Sequence, residues 1–566
     1  MNRSTDRTPP LHLAYWPLGL PHALTVPETT VDVNLALSAQ NTPDHPAIVF
    51  YDSAVSYAEL QQQVQCMAGY LQKGCGVRRS DRVLLMMQNS PQFVIAFYAI
   101  LRAGAVVVPI NPMSTCDELA YFLKDSGAAA AFVAEDAVPR WLAMATGSLL
   151  PLVVARYADY LQVATTLQLP ACIEHDPVTE LPAGAVTWHA AMAADLAPAP
   201  SLAVPDDLAV LPYTSGTTEH PKGCMHSHRS LMFSTVSSPT WSGLSKLGSA
   251  TLAVLPFFHV TGMQVGMNAT IFRGGTLVVM ARWDREVAAR LIQSYRVVAW
   301  SSVPTMMIDF LSNPALDTQD VSSLERVSGG GAAMPAAIAQ RLFDLTGLSY
   351  MEGYGLTETM AATHTNPPQR LKQQCLGIPV FDVMSHIVDP ATLAILEPYE
   401  VGEIVVAGPQ VFKGYWNDPD HDSRAFVTIE DRSFLRTGDL GYRDGEGFYF
   451  FVDRLKRMIN ASGYKVSPAE VESLLFRHAD VQECCVIAAA HPYRGETVKA
   501  LIVRTAGSQV NAAQLVEWCR TVMAPFKAPT DVVFVDALPK SATGKVAWRM
   551  LQDQERRRQT SSLRSP

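Results

Sequence analysis

The segment Tyr213-Thr-Ser-Gly-Thr-Thr-Glu-His-Pro-Lys-Gly223 gathers the hydroxyls of Thr214, Ser215, Thr217 and Thr218, together with Gly216 and Lys222, directly after an apolar run, LAVLP. A tight loop of this kind offers backbone N–H and side-chain O–H donors to phosphate oxygens, and Lys222 adds a mobile positive charge. Its spacing differs from the GxxxxGK[ST] of a Walker loop. Four more polar or glycine-rich blocks follow: Ser328-Gly-Gly-Gly-Ala-Ala-Met-Pro335, Gly353-Tyr-Gly-Leu-Thr-Glu358, Arg436-Thr-Gly-Asp439 and Pro539-Lys-Ser-Ala-Thr-Gly-Lys545. No Ser/His/Asp arrangement is evident among them, so their chemistry would rest on positioning and charge, without a covalent protein intermediate.

The elements that must hold these blocks are legible as alternating strands and helices. VLLMMQ (83–88), a helical stretch from Pro91 to Ala103 and VVVPI (106–110) form a βαβ pattern. LAVLPY (208–213), TLAVLP (251–256) and TLVVM (276–280) are short apolar runs suited to strands buried on both faces. Between the last of them and VVAW, a helix beginning near Asp284 aligns Val287, Ala288, Leu291, Ile292 and Tyr295 on one face. The body is therefore expected to be α/β with parallel sheet. From about Gly402 the signals turn antiparallel, with GEIVVAG and the pair DLGYRD and FYFFVDR joined around Gly445 and Gly447, which predicts a small β subdomain. A charged stretch from Asp453 to Gly463 then precedes Ser467-Pro-Ala-Glu470, which reads as a helix start with a serine cap, proline at the first position, glutamate three residues after the cap to complete it, and a staple of Val466 and Val471. The domain break is placed there, and the remainder, to about Arg549, is long enough for a separate α+β domain.

Length and composition agree with this division. A chain of 566 residues exceeds one hydrophobic core, and an apolar fraction of 48% supplies a well-buried interior. With 44 basic and 53 acidic residues the net charge is −9, and no basic stripe offsets it, which argues against nucleic acid as a partner. The nine cysteines are scattered without zinc spacing and are expected to be reduced thiols of a cytoplasmic protein. The start, MNRSTDRTPP, has no signal-peptide core. The most apolar stretch, Phe93 to Ile110, is broken by Arg102 and Gly104 and reads as a buried helix and strand, not a membrane span. The tail QERRRQTSSLRSP reads as a frayed terminus.

The loop at Tyr213 closely resembles the phosphate loop of the AMP-forming acyl-CoA synthetase superfamily, whose relatives include firefly luciferase, and the other blocks follow in that family's order. The likeness runs from about Pro43 to Arg549 and is strongest to medium- and long-chain fatty acid CoA ligases. It implies that Thr214, Ser215, Gly216, Thr217, Thr218 and Lys222 contact ATP phosphates, that Gly330, Gly331 and Ala332 lie beside adenine, and that Tyr354 stacks on the base. It implies phosphate contact for Thr357 and a Mg²⁺ ligand in Glu358, whose hard carboxylate oxygen suits that ion. Asp439 would accept the ribose hydroxyls, with Arg454 facing the same sugar. Lys545 would attend adenylation, while Gly463-Tyr464-Lys465 would enter the site for thioester formation. Phe258, His259 and Gly355 would border the acyl group.

The domains implied are an N-terminal AMP-binding domain (1–452), a hinge (453–457) centred on Lys456, and a smaller, mobile α+β C-terminal domain (458–566). Two positions depart from the family pattern: Glu219 stands where glycine is usual, and Arg457 where an acidic residue follows the hinge. Glu219 adds negative charge and backbone restriction beside a polyphosphate; Arg457 either alters the balance between domain orientations or, as an exposed charge, is a nearly neutral exchange.

The activity implied is the joining of a carboxylic acid to coenzyme A through an acyl-adenylate, with ATP and Mg²⁺, on a medium- or long-chain fatty acid. The alternatives are an aryl or arylalkanoate CoA ligase, an acyl-AMP ligase serving a carrier protein, and a nucleotide-binding protein without catalysis. The expected partners are small molecules, with no nucleic acid and no integral membrane segment; a homodimer is left open.

Overall fold

A computed structural model of the chain describes residues 10–144, 150–175, 177, 180–214, 221–244, 247–461, 464–491, 495–540 and 546–562, without the side chains of 495 and 559–562. Two compact units are present, one made of His12–Met384 with Ala407–Leu435, the other of Ser385–Val406 with the chain from Arg436 onward.

The larger unit is built on two sheets, and the βαβ reading holds in both. A seven-stranded sheet runs in the order Ala185–Thr187, Leu152–Ala155, Ala130–Ala134, Arg82–Met86, Val106–Pro109, Leu208–Val210, His226–Ser227. All its neighbours are parallel until the last pair. A nine-stranded sheet contains Ala250–Ala253, Thr276–Val279, Ala299–Ser302, Arg326–Gly330 and Met351–Leu356 as parallel strands. The helix Pro91–Arg102 connects two adjacent parallel strands, and every residue from Pro91 to Leu101 is buried. That burial explains why the stretch is apolar on all sides. Among the described residues, no helix is long and apolar enough to cross a membrane.

In the smaller unit Asp439 to Arg443 pair antiparallel with the strand Tyr449–Arg454, as the hairpin reading predicts. A second sheet, Tyr464–Val466, Ile459–Ala461, Gly495–Arg504, Val481–His491, with Asp531–Phe534 beside Gly495–Arg504, carries helices on both faces. Strand periodicity assigns the faces. Cys484 and Val486 join the core under the helices Pro468–Leu475 and Ala512–Val522, whereas Cys485 and Ile487 pack with Leu538 and Leu551. All nine cysteines are free thiols, five of them buried.

Two local expectations change. Ser467 caps the helix Pro468–Leu475 by accepting from Glu470 N, but the Glu470 carboxylate pairs with Lys527 at 2.5 Å. The tail is not frayed over its first part: Trp548–Ser562 is helical, held by Gln552, which exchanges two hydrogen bonds with the Ala488 backbone, and by Glu555, 3.1 Å from the buried Lys499.

Glu352, in the strand Met351–Leu356 of the nine-stranded sheet, is a buried carboxyl that ties separate segments together. Its two oxygens accept from Met334 N at 2.7 Å and Cys375 N at 3.0 Å, tying the end of the Ser328–Pro335 block to a distant segment. Burial pushes its pKa up from 4.5 to about 7, against the downward pull of those N–H donors. The folded state therefore binds the proton more tightly than the unfolded one, and Glu352 adds stability that is complete below about pH 4.5 and lost as pH rises through about 7. Relative to Glu352→Gln, the wild type should lose roughly 3 kcal/mol of stability as pH rises across that window, measured by urea unfolding at a series of pH values. A difference independent of pH would assign the carboxyl no such role.

Candidate functional site

The polar loop after Leu208–Val210 is closed at its base. Tyr213 and Gly223 form an antiparallel bridge, Thr214 N donates to Lys222 O at 2.9 Å, and Cys224 N donates to Pro212 O at 2.9 Å. Two tyrosines brace the closure: Tyr213 Oη donates to Asp125 at 2.6 Å, and Tyr121 Oη to Pro221 O at 2.9 Å. Ser215, Gly216, Thr217, Thr218 and Glu219 lie outside the described residues.

Beyond the loop the chain pairs with a segment much later in sequence. Trp416 N donates to Gly223 O at 2.8 Å, Met225 N to Gly414 O at 3.0 Å and Lys413 N to Met225 O at 2.8 Å, with Cys224 bridged to Tyr415. This pairing sets Tyr415 beneath Lys222, whose Nζ is 5.0 Å from the ring centroid. Tyr415 Oη donates to Glu358 Oε1 at 2.8 Å, and Phe412 N donates to Glu358 O at 2.9 Å. Lys222 and Glu358, taken from separate blocks of sequence, thus share one neighbour.

The block Gly353–Glu358 ends in a constrained turn. The fully buried Thr359 accepts from Leu356 N at 2.8 Å and donates to Ala361 O at 2.8 Å, while Met360 and Ala361 take φ of 45° and 88°. Positive φ at two non-glycine residues is strain that the surrounding hydrogen bonds must hold. A Cβ on Gly355 would meet Ala361 O at 1.8 Å, so glycine is required there by backbone approach. His226 is fully buried, and burial pushes its pKa down to about 4. The neutral ring fits donation from Nε2 to Thr357 O across 2.8 Å.

Gly330 ends the strand Arg326–Gly330, where an added Cβ would lie 2.4 Å from Gly353 O; Gly331 turns at φ 83° and Ala332 is exposed. Tyr354 is largely buried, its ring 5.7 Å from that of His364. Phe258 is buried and His259 half-buried, their rings 4.8 Å apart. Their segment is fixed by the buried Asn89, which donates to Ala253 O and Leu255 O and accepts from Phe257 N at 2.7 Å. The π-helix Gly262–Asn268 follows, a geometry that recurs at functional sites.

The smaller unit holds a second constellation. The buried Glu403 receives Arg436 Nε at 2.9 Å and Gly438 N at 3.0 Å, fixing the turn before Asp439. Asp439, 2% exposed, pairs with Arg454 at 3.2 Å. Lys456 and Lys465 are exposed, and Lys465 lies opposite Asn460 in the antiparallel pair Ile459–Ala461 and Tyr464–Val466. Lys545 and Gly463 lie outside the described residues; the chain around the former is joined by a Lys540–Val546 bridge, with Lys540 2.6 Å from Glu483.

Arg457 corrects the reading of an exposed exchange. Its guanidinium pairs in two-pronged fashion with Glu472, donates to Val486 O at 3.2 Å and lies 5.3 Å from the Trp548 ring. With 14% of its side chain exposed, it is a built-in member of the C-terminal core, not a solvated charge.

The structure thus joins Thr214, Lys222, Thr357 and Glu358 in the larger unit and Asp439 with Arg454 in the smaller. Tyr415, Glu403, Thr359 and Asn89 are the contributors that sequence reasoning missed. Among the described residues no cluster of three or more His, Cys, Asp or Glu could cage a metal. A lone half-buried carboxylate, Glu358, nevertheless fits Mg²⁺, which binds through one or two carboxylates and substrate phosphates.

Similarity to known proteins agrees with this geometry. The AMP-binding enzyme profile matches residues 35–416, and the AMP-binding enzyme C-terminal domain matches residues 470–545. A long-chain-fatty-acid–CoA ligase of Bacillus subtilis (strain 168) is 34% identical over 552 residues, covering 96% of this chain and 98% of its own. A feruloyl-CoA synthase of Amycolatopsis sp is 32% identical, covering 90% and 95%. Among solved structures, ATP-bound MatB from Rhodopseudomonas palustris superimposes with a TM-score of 0.79 at 27% identity, over 93% of this chain and 99% of that one. The chain belongs to the AMP-binding enzyme family and is an AMP-forming acid–CoA ligase.

Proposed function

We propose that the acid is a medium- or long-chain fatty acid, activated as its acyl-adenylate with release of pyrophosphate and then transferred to the thiol of coenzyme A, in the cytoplasm. The observation that carries this reading is the end-to-end likeness to a long-chain-fatty-acid–CoA ligase, at 34% identity across 96% of the chain. A second reading, an aryl or arylalkanoate substrate, is favoured by the feruloyl-CoA synthase relative at 32%. Ligation of CoA to acids of increasing chain length, beside benzoate and cinnamate types, tests the two. A graded optimum among fatty acids supports the first, and preference for the aryl acids replaces it with the second.

In this reading Thr214, Ser215, Gly216, Thr217, Thr218 and Lys222 bind the phosphates with Thr357, and Glu358 holds Mg²⁺, which when bound neutralises phosphate charge. Gly330, Gly331, Ala332 and Tyr354 receive adenine, and Asp439 with Arg454 receives ribose; the Arg454–Asp439 pair is consistent with that role. Phe258, His259 and Gly355 border the acyl chain. Lys545 approaches the carboxylate and α-phosphate, two anions whose reaction needs cationic stabilisation. Lys456 is the hinge of the 453–457 segment between domains 1–452 and 458–566, and Lys465 serves the thioester step.

Lys545→Ala should slow acyl-adenylate formation about 10²-fold or more, near 3 kcal/mol, in single-turnover assays, with the unfolding midpoint nearly unchanged. An unaltered rate removes Lys545 from catalysis. Lys456→Pro fixes φ and restricts Leu455, so it should retain pyrophosphate exchange yet lose most CoA transfer, even from supplied acyl-AMP. Equal loss of both half-reactions in a folded protein would count against a turn at this residue.

A further inference from the structure

Tyr415 belongs to none of the five blocks that point to nucleotide chemistry, yet it touches two of them. Its hydroxyl donates to Glu358 Oε1 at 2.8 Å, and its ring lies 5.0 Å from Lys222 Nζ. The side chain is itself held firmly. Tyr415 N donates to Asp422 Oδ1 at 2.6 Å, the backbone is bridged to Cys224, and the ring packs edge-on against Phe412 at 4.8 Å. A phenol fixed in this way restricts the rotation of the carboxylate it binds, because one oxygen is committed to the hydroxyl. It also offers a negative π face to the ammonium above it.

We propose that Tyr415 is a positioning residue that orients the Glu358 carboxylate for the cation accompanying the nucleotide and keeps Lys222 poised at the end of the phosphate loop. The inference rests on the reading of Glu358 as the Mg²⁺ ligand and extends it to a residue that contacts neither ion nor substrate. The two arms of the side chain are separable. The hydroxyl acts on cation binding through Glu358, and the ring acts on the phosphates through Lys222.

Binding of ATP, measured by titration calorimetry in EDTA and again in Mg²⁺, distinguishes these effects without turnover. Tyr415→Phe keeps the ring and should leave binding in EDTA unchanged while weakening the Mg²⁺-dependent gain by ~3- to 10-fold, the scale of one modest hydrogen bond. Tyr415→Leu, which removes the ring as well, should weaken binding in both conditions. In a Glu358→Gln background, Tyr415→Phe should have no further effect on the Mg²⁺-dependent gain. If Glu358→Gln lowers that gain and Tyr415→Phe does not, the inference fails while the reading of Glu358 stands. If Glu358→Gln leaves the gain intact, both fail. Equal weakening by Tyr415→Phe in EDTA and Mg²⁺ would also overturn the proposal, since it would mark a general packing defect.

Discussion

The short backbone pairing of Gly223–Met225 with Lys413–Trp416 is the constraint on which the phosphate side of this protein depends. Fixing a residue in a single backbone conformation costs about 1 to 2 kcal/mol of entropy. Pairing at the exit of the polar loop, and the Tyr213–Gly223 bridge at its base, confine the chain on either side of the loop. The same pairing delivers Tyr415 to Glu358 and Lys222, so loop closure and charge placement are one structural event.

Glycine has a different physical basis here from the one its motif suggests. The Ser328–Pro335 and Gly353–Glu358 blocks look permissive because absent side chains let a ligand come close. At Gly330 and Gly355, however, the nearest obstacles to a Cβ are carbonyl oxygens of adjoining strands, at 2.4 and 1.8 Å. These glycines are fixed by the sheet before any ligand enters. The strained turn at Met360 and Ala361 is the local counterpart, a rigid end to the same strand.

What could be read from the sequence follows from how local each signal is. The parallel strands around Pro91–Arg102, the hairpin at Asp444 to Gly447 and the Ser467 cap all depend on neighbours within a few positions, and each is present. Glu358 and Asp439 were recognisable because their blocks are contiguous. Tyr415 and Glu403 were not, since their partners arrive by pairing across long separations. Arg457 looked like a surface charge because nothing adjacent to it in sequence reveals that Glu472, Val486 and Trp548 converge upon it. Glu470 showed the opposite difficulty: its spacing from Ser467 suggested a reciprocal cap, but a lysine from a distant turn draws its carboxylate away.

The helix Pro91–Arg102 has a consequence for how the chain emerges from a ribosome. All of Pro91 to Leu101 is buried; the helix Tyr57–Lys73 covers one side early, but other contacts come late: Phe257 packs on Phe93, Ala253 and Leu255 accept from Asn89, and Asn268 accepts from Tyr98. At synthesis rates of about 5 to 20 residues per second, an apolar helix made early waits on the order of ten seconds or more for the rest of its cover. During that interval the nascent chain presents part of an apolar helix to its surroundings or to whatever shields it. Polypeptides ending before Ala253 therefore lack this late part of the cover and leave some of the helix's apolar surface open.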